Sequence, residues 1–313
     1  MLAPAAMSET LRAGVIGAGV FGGYHARQYA RLPGVSFSGV YDTHPDRAAK
    51  AAMPLGGRAF ADLESFLDAV DVVTVASPAT HHAEQALAAI AAGKHVYVEK
   101  PIAIRVADAE RVRAAGANAG VIVACGHQER VVFRAMGLLD VPEQPVLLEA
   151  LRHGPPSERS RDVSAVLDLM VHDIDLCLAI AASEPVTAEA EGARGPDGVW
   201  DIVRAEASFE SGFTAILDVS RQAQARRRTM RFVYPSGEVE IDFLARTFRN
   251  TTPFELNPDF ADTPAASDPL GASVEGFLQA VRGLAPRPVV TAEEAIAALD
   301  LAIAVEQALE DAA

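Results

Sequence analysis

Apolar runs alternate with alanine-rich segments over the first 124 residues of the chain. The apolar runs predict strands at residues 12–17, 35–41, 58–60, 70–76, 95–98 and 121–124. The segments between them predict helices at residues 21–32, 45–53, 62–68, 80–92 and 106–118. The run at 70–76, broken by Asp71, is typical of a parallel strand that is covered on both faces. This alternation of strands and helices favours a doubly wound parallel sheet.

The pattern changes after residue 126, where strands follow one another with few helices between them. The strand candidates are residues 146–152, 187–191, 202–209, 214–220, 229–233 and 238–243. Turn signals at 196–198, 211–212 and 235–237 join several of these candidates, which favours a mostly antiparallel sheet. Helices are predicted in this part of the chain at residues 163–180, 273–282 and 291–310.

We therefore predict an α/β protein with two domains. Residues 1–124 form a Rossmann-type domain with a doubly wound parallel sheet, and residues 125–313 form an α+β domain with a large, open, mostly antiparallel sheet. The length of 313 residues agrees with two domains of roughly 150 residues each. Half of the residues are hydrophobic and 22% are charged, which excludes a largely disordered chain.

Composition and charge narrow the functional classes. The formal net charge of −15 argues against a nucleic-acid partner, because proteins that bind nucleic acid carry a basic face. The two cysteines, Cys125 and Cys177, are too few for a disulfide framework and lack the spacing of a zinc site. The first ten residues lack the regions of a secretory signal, and no apolar run approaches the roughly 18 residues of a membrane span. We expect a cytoplasmic protein with no membrane partner.

A glycine fingerprint lies between the first predicted strand and the first predicted helix. Gly17, Gly19 and Gly22 permit a tight turn, close approach of a pyrophosphate and close packing of helix on strand. The phosphates would lie at the positive end of the helix. Asp42 ends the second predicted strand, where a carboxylate binds ribose hydroxyls and repels a 2′-phosphate. We therefore predict NAD rather than NADP, although Arg47 could reach a 2′-phosphate; the alternative is a glycine turn without a ligand.

The predicted helix at 163–180 carries a narrow polar stripe. Asp168 and His172 are four residues apart, so they share one face of a helix that is apolar almost all round. Such a helix is largely buried, and unpaired charge inside it is costly. Either a ligand completes the pairing, or the two side chains satisfy each other and cap neighbouring loops. We predict no metal here, because Asp173 points off the stripe and no cysteine joins it.

Four further segments resemble one family of oxidoreductases. They are residues 77–82 (SPATHH), 99–101 (EKP), 126–127 (GH) and 168–173 (DLMVHD). With the glycine fingerprint, they resemble the glucose–fructose oxidoreductase, inositol dehydrogenase and rhizopine-catabolism family, Gfo/Idh/MocA. The resemblance covers nearly the whole chain. It implies oxidation or reduction of a sugar or polyol carbon by a nicotinamide cofactor, and a homodimer or homotetramer joined through the open face of the C-terminal sheet.

The resemblance also implies roles for individual residues. Lys100 would touch the reacting hydroxyl, with His172 as the acid–base histidine and Asp168 as its companion. A histidine suits proton exchange near neutral pH, and a cation stabilises developing alkoxide character. The expected cofactor-binding residues are Gly17, Gly19, Val20, Phe21, Gly22, Asp42, Ser77, Pro78, His82, Glu99 and Lys100. One departure is that family members often carry a Gly-Gly pair before the Asp-x-x-x-His element, where this chain has DVSA at 162–165.

Arginines are concentrated in the second half of the chain and bear on the substrate. Arginine forks suit phosphate and carboxylate, so a loop rich in arginine before the helix favours a nucleotide sugar. The expected substrate-binding residues are Lys100, Arg152, Arg159, Arg161, Asp168 and His172. The segment 162–175 is similar to relatives that oxidise the 3-hydroxyl of UDP-N-acetylglucosamine, whereas residues 226–228 are expected at a sheet edge or subunit interface. The alternatives are an inositol or simple-sugar dehydrogenase and a non-catalytic NAD-binding sensor.

Overall fold

The computed structural model of the protein describes residues 10–157 and 163–312, which divide into two units. Among these residues, the first unit comprises 10–103, 107–126 and 273–292, and the second comprises 104–106, 127–157, 163–272 and 293–312. This division differs from a single boundary at residue 124, because 104–106 groups with the second unit, whereas 125–126 and 273–292 group with the first. Part of the reason is a backbone hydrogen bond, in which the N–H of Cys125 donates to the carbonyl of Val290 over 3.2 Å.

The first unit is built on a parallel sheet. Among the described residues, its strands are β1 (Leu11–Ile16), β2 (Val35–Tyr41), β3 (Arg58–Phe60), β4 (Val72–Val75), β5 (His95–Val98) and β6 (Val123–Cys125). They lie in the order β3-β2-β1-β4-β5-β6, and each neighbouring pair is parallel. The helices of this region are α1 (Val20–Arg31), α2 (Pro45–Ala52), α3 (Leu63–Asp68), α4 (His82–Ala91) and α5 (Val106–Ala119). The prediction of a doubly wound sheet is confirmed, and its order reverses between β1 and β4, where such sheets bind ligands.

Local sequence signals explain several of these elements. The strand β4 is buried at every position, as expected when both faces of a parallel sheet are covered. Asp62 caps α3, because its carboxylate accepts a hydrogen bond from the N–H of Ser65 over 2.7 Å. Pro45 occupies the first turn of α2, where a helix has no use for the missing N–H.

The second unit is built on a larger sheet. Within the described ranges, its strands are β7 (Leu147–His153), β8 (Pro185–Arg194), β9 (Trp200–Phe209), β10 (Thr214–Ser220), β11 (Arg227–Tyr234), β12 (Gly237–Asp242) and β13 (Thr247–Asn250). They lie in the order β13-β12-β11-β7-β10-β9-β8. The pair β7–β10 is parallel and the other pairs are antiparallel, so the predicted mostly antiparallel sheet is confirmed. The edge strand β13 was not predicted, because its four residues (TFRN) include a single apolar side chain and form no longer pattern.

The helices of the second half of the chain include the one that carries the polar stripe. They are α6 (Glu129–Met136), α7 (Val171–Ala181), α8 (Pro264–Ser267), α9 (Pro269–Val281) and α10 (Ala292–Asp311). In the part of the chain that the structure describes, no helix is both long enough and apolar enough to cross a membrane.

The predicted helix at 163–180 has a different start in the structure. A π-helical turn occupies Val166–Met170 and continues directly into α7. The hydroxyl of Ser164 accepts a hydrogen bond from the N–H of Leu167 over 3.2 Å, which caps the turn. Single π-helical turns are rare and occur often at functional sites. Here the turn contains Asp168 and continues directly into the first turn of α7, which contains His172.

Candidate active site

The glycine loop between β1 and α1 has the conformation that its sequence requires. Gly17 has a φ of +98°, and a Cβ on it would lie 2.7 Å from the carbonyl oxygen of Ala76. A Cβ on Gly22 would lie 1.9 Å from the carbonyl oxygen of Gly17, so helix and loop pack too closely for a side chain. Gly19, at the N-cap of α1, has no atom within 4 Å of an added Cβ. The loop is therefore closed on its inner side and open where a phosphate would approach.

Asp42 is attached to this loop through backbone hydrogen bonds. Its Oδ2 accepts from the N–H of Ala18 over 2.7 Å, and its Oδ1 accepts from the N–H of His44 over 2.8 Å. Val20 and Phe21 begin α1 beside it, and Val20 is 53% exposed. The open glycine loop with a carboxylate at its edge fits a dinucleotide whose ribose diol lies at Asp42.

The predicted loop residues after β4 are held by a buried histidine. The Nε2 atom of His82 lies 2.9 Å from the carbonyl oxygen of Ser77, and its Nδ1 lies 2.7 Å from that of Pro101. Burial lowers the pKa of His82, while the two carbonyls act in the opposite direction. The side chain therefore ties together the loops that follow β4 and β5. Pro78 is exposed, and the hydroxyl of Ser77 donates to Oε1 of Gln85 over 2.7 Å.

Glu99 and Lys100 follow β5 directly, at the carboxyl end of the sheet. Glu99 is buried, and its Oε1 lies 2.7 Å from Nε2 of His25, a fully buried residue of α1. Burial raises the pKa of the Glu99 carboxyl, but His25 and Lys100 outweigh it and the pKa is lowered. Lys100 is half-buried. The strand end therefore presents a lysine beside a buried carboxylate that is already paired.

In the second unit, Asp168 lies beside an arginine that no motif indicated. Nη1 of Arg221 is 3.9 Å from Oδ2 of Asp168, and its Nε is 3.0 Å from Oδ1 of Asp201. The same guanidinium donates to the carbonyl oxygen of Val163 over 2.8 Å. Arg221 therefore joins the start of the π-helical turn to the side chain of Asp168.

Two other acids of α7 are buried and paired with arginines. Nε and Nη2 of Arg152 bind both oxygens of Asp173 at 2.9 and 2.6 Å. The same guanidinium binds both oxygens of Glu129 at 3.0 and 2.6 Å. Arg130 binds Asp175 in the same two-pronged way, at 2.9 and 2.8 Å. These pairs satisfy the buried charges of the helix that carries His172.

His172 itself is half-buried beside groups from α6 and its entry loop. Its ring is packed edge-on against that of His127, with ring centroids 6.3 Å apart. Burial raises the pKa of the Glu129 carboxyl, but Arg152 and His172 lower it to well below its usual range. The histidine therefore lies within the field of an ionised glutamate.

Several sequence predictions need correction or completion at this point. Arg159 and Arg161 lie outside the described residues. Arg152 lies within the described residues, but its guanidinium binds two carboxylates and the residue is only 3% exposed. This geometry does not favour direct contact with the substrate. Over residues 10–157 and 163–312, no group of three or more His, Cys, Asp or Glu side chains is arranged to hold a metal ion.

Sequence reasoning missed a set of supporting residues, namely His25, Glu129, Arg130, Asp201 and Arg221. The need for arginines in this set could have been anticipated from the sequence, because buried acids on an apolar helix require cationic partners. The sequence contains many arginines, and nothing in their spacing indicates which of them pairs with which acid.

The fold and these two sites define a class of protein. A Rossmann domain with an open glycine loop is combined with an open-sheet domain whose apolar helix carries an acid and a histidine. The chain belongs to the Gfo/Idh/MocA oxidoreductase family. Residues 11–127 match the oxidoreductase family with an NAD-binding Rossmann fold, and residues 148–240 match the GFO/IDH/MocA C-terminal domain. The predicted family is confirmed.

Individual relatives are similar over different lengths. UDP-N-acetylglucosamine 3-dehydrogenase from Acidithiobacillus ferrooxidans is 33% identical over 96% of this chain and 99% of that protein. A solved structure of that enzyme has a TM-score of 0.88 and 31% identity, covering 96% of this chain and 98% of that one. An inositol 2-dehydrogenase from Cereibacter sphaeroides is 33% identical over 58% of this chain and 57% of its own length.

Proposed function

We propose that this oxidoreductase is an NAD-dependent dehydrogenase that oxidises a secondary hydroxyl of a nucleotide sugar, with the 3-hydroxyl of UDP-N-acetylglucosamine as the first candidate. The observation that carries the proposal is the helical segment of the second unit on which Asp168, with Arg221 beside it, lies four residues before His172. Similarity over 96% of the chain to a UDP-N-acetylglucosamine 3-dehydrogenase supports the substrate. We further propose that catalysis is assigned to Lys100, His172 and Asp168.

The glycine loop and Asp42 would hold the cofactor. The N–H groups at the start of α1 would bind the pyrophosphate beside Gly19, where an added Cβ meets no atom within 4 Å. Asp42 would accept hydrogen bonds from the ribose hydroxyls, and its negative charge disfavours a 2′-phosphate, which supports NAD over NADP. When bound, the nicotinamide supplies a hydride acceptor.

Lys100 and His172 would have different roles at the reacting hydroxyl. The carbon–hydrogen bond breaks with loss of a hydride, and the oxygen–hydrogen bond loses a proton to the imidazole of His172. The ammonium of Lys100 would donate a hydrogen bond to the same oxygen and stabilise its developing negative charge. Asp168, held beside Arg221, would orient the histidine and favour its protonated form.

The substrate anion needs a cationic partner. Both edges of the Arg152 guanidinium bind the carboxylates of Glu129 and Asp173, so we assign Arg152 to support of the helix rather than to the substrate. Arg228 is the better candidate, because its side chain is 40% exposed and its Nη1 lies 3.3 Å from Oε1 of Glu129. Arg159 and Arg161 remain predictions for this role.

Absorbance at 340 nm tests the proposal. NAD is mixed with UDP-N-acetylglucosamine, glucose or myo-inositol, and a trap for the keto product removes the limit set by an uphill equilibrium. We expect turnover with the UDP-sugar and its loss in Lys100→Ala and His172→Ala. Turnover with myo-inositol alone would favour the second candidate, which the inositol 2-dehydrogenase relative supports. NAD binding without turnover of any sugar would favour a sensor.

We also propose a cytoplasmic homodimer or homotetramer joined through the open face of the second sheet. This face is lined by side chains from β7 and β10, including Leu151 and Ile216, which lie in a concavity of about 590 Å³. Sedimentation velocity of the wild type and of Leu151→Asp tests the contact. A monomeric wild type would contradict it, and cell fractionation tests the location.

A further inference from the structure

Asp201 lies near the start of β9, beside Arg221, the arginine that reaches Asp168. The N–H of Arg221 donates to the carbonyl of Asp201 over 2.9 Å, so the two residues are neighbours where β9 and β10 meet. Their side chains form an ion pair, with Nε of Arg221 3.0 Å from Oδ1 of Asp201. Both residues are buried, and a buried charge that loses its partner is costly. Arg221 therefore depends on Asp201 as well as on the groups that it contacts at the helix.

The carboxylate of Asp201 is held in place by its second oxygen. Nε2 of Gln222 donates to Oδ2 of Asp201 over 2.6 Å. A Cβ on Gly195 would lie 2.0 Å from the same oxygen, so the carboxylate packs directly against the backbone of the turn between β8 and β9. The N–H of Gly195 donates to the carbonyl of Val199 over 2.8 Å, which closes this turn. The negative charge that attracts Arg221 therefore has a fixed place.

The guanidinium of Arg221 connects Asp201 to the start of the π-helical turn. Its Nη2 donates to the carbonyl of Val163 over 2.8 Å, and its Nη1 lies 3.9 Å from Oδ2 of Asp168. Val163 directly precedes Ser164, which caps that turn. One side chain thus contacts both the entry of the turn and an acid within it, and the place of that side chain is set by Asp201.

We infer that Asp201 is a positioning residue for the π-helical turn and acts through Arg221. An arginine side chain has many rotamers, and a fixed carboxylate beside its Nε selects the one that reaches both Val163 and Asp168. Without the charge of Asp201, the guanidinium turns toward the carboxylate of Asp168, and the turn that contains Asp168 moves with it. The consequence for turnover rests on the proposed function.

Three variants separate the charge of Asp201 from its volume and from stability. Asp201→Asn keeps the shape that packs beside Gly195 and removes the charge. In Asp201→Asn with Gln222→Glu, the amide donates to the new carboxylate, so the contact between positions 201 and 222 is kept and a negative charge returns near Arg221. Leu309→Ala is the stability control, because Leu309 is a buried residue of α10 that packs against β8.

Hydrogen exchange tests the inference without substrate or turnover. The N–H groups of Leu167 and Asp168 donate to the hydroxyl and the carbonyl oxygen of Ser164 at 3.2 and 3.0 Å, so their exchange reports on the start of the π-helical turn. Because local opening and global unfolding are separate events, we expect Asp201→Asn to speed exchange in this turn by about tenfold while exchange in the middle of β9 and β10 stays unchanged. An unchanged turn, or equal acceleration of the turn and the strands, would overturn the inference.

The other variants should then follow a distinct pattern of exchange. Adding Gln222→Glu to Asp201→Asn should return the turn to about the wild-type rate, whereas Leu309→Ala should speed exchange of the strands instead. Since effects within one chain of contacts are not additive, the double variant Asp201→Asn, Arg221→Met should match Arg221→Met alone. A further acceleration of the turn in this double variant would show that Asp201 does not act through Arg221, which would overturn the inference.

Kinetics with the sugar that supports turnover complete the test. We expect Asp201→Asn to lower kcat by about tenfold while KM for NAD stays unchanged, because only the placement of the turn is altered. Adding Gln222→Glu should restore kcat, and Leu309→Ala should keep it. A wild-type kcat in Asp201→Asn would overturn the consequence for turnover. If the wild type oxidises no sugar, the proposed function fails, while hydrogen exchange still decides the role of Asp201.

Discussion

The two units hold their polar groups in different ways. In the first unit, the proposed cofactor site is made largely of backbone: the glycine loop, the N–H of Ala18 on Asp42, and the carbonyls that His82 joins. In the second unit, the helix with His172 is held by side-chain ion pairs that are almost completely buried, chiefly those of Arg152 and Arg130.

This difference predicts different kinds of sensitivity. A backbone site fails when a side chain is added where there is no room, because the main chain must move. A site held by buried ion pairs fails when one partner is removed, because the other charge remains unpaired. The stability and NAD affinity of the proposed cofactor site should therefore respond most to glycine substitutions. The stability of the helix in the second unit should respond most to loss of an arginine.

The largest effect is expected from Arg152→Met. It leaves buried Asp173 and partly buried Glu129 without their shared cation, which costs about 3–5 kcal/mol of unfolding free energy, chiefly through Asp173. The fluorescence of Trp200, the one tryptophan of the chain, follows urea unfolding of the second unit. Arg231→Met is the matched control, because Arg231 also contacts several acids but is 38% exposed, and about 1 kcal/mol or less is expected. Equal losses of unfolding free energy in the two variants would contradict the distinction between buried and exposed ion pairs.

Arg221→Met should act on catalysis more than on binding of the cofactor. The substitution removes the ion pair of Asp168 and the hydrogen bond to the carbonyl of Val163. We therefore expect the π-helical turn that contains Asp168 to move. Because a displacement of about 1 Å costs about 100-fold, we expect kcat to fall by that order with KM for NAD unchanged. Arg246→Met, on a loop of the second unit, serves as the control. An unchanged kcat in Arg221→Met would show that Asp168 does not depend on this arginine.

Gly22→Ala should damage the first unit through its backbone. The added Cβ meets the carbonyl oxygen of Gly17 at 1.9 Å, so the loop must rearrange, and a loss on the order of 2 kcal/mol in unfolding free energy is expected. Calorimetric titration should detect no binding of NAD. Gly19→Ala provides a contrast, since its Cβ meets nothing within 4 Å: stability should be kept while NAD affinity falls. Full NAD affinity in Gly19→Ala would contradict approach of the phosphates at this point.

The smallest effect is expected from Asp42→Asn. The amide keeps an oxygen for the N–H of Ala18 but loses the acceptor for the N–H of His44 and the charge that pairs with a diol and repels a 2′-phosphate. We expect about a tenfold shift, or about 1.4 kcal/mol, in the preference between NAD and NADP. The ratio of kcat/KM for the two cofactors measures it. An unchanged ratio would mean that another residue selects the cofactor.

The difference between the units also explains which features of the fold and the site could be predicted from the sequence. The glycine spacing and the apolar run of β4 are local signals, so the doubly wound sheet and the position of Asp42 were predictable. Ion pairs such as Arg152 with Asp173 join residues 21 positions apart on different elements, and no local pattern specifies them. The π-helical turn at Val166–Met170 depends on Ser164 and on distant Arg221, so a regular helix was predicted instead.

Transfer of the hydride from the sugar to NAD can be followed directly with a labelled substrate. UDP-N-acetylglucosamine carrying deuterium at C3 is incubated with NAD and the enzyme, and the reduced cofactor is analysed by mass spectrometry. We expect reduced cofactor with one deuterium from the wild type and none above background from His172→Ala or Lys100→Ala. Reduced cofactor without deuterium, or no reduction with this sugar while another sugar is oxidised, would contradict it.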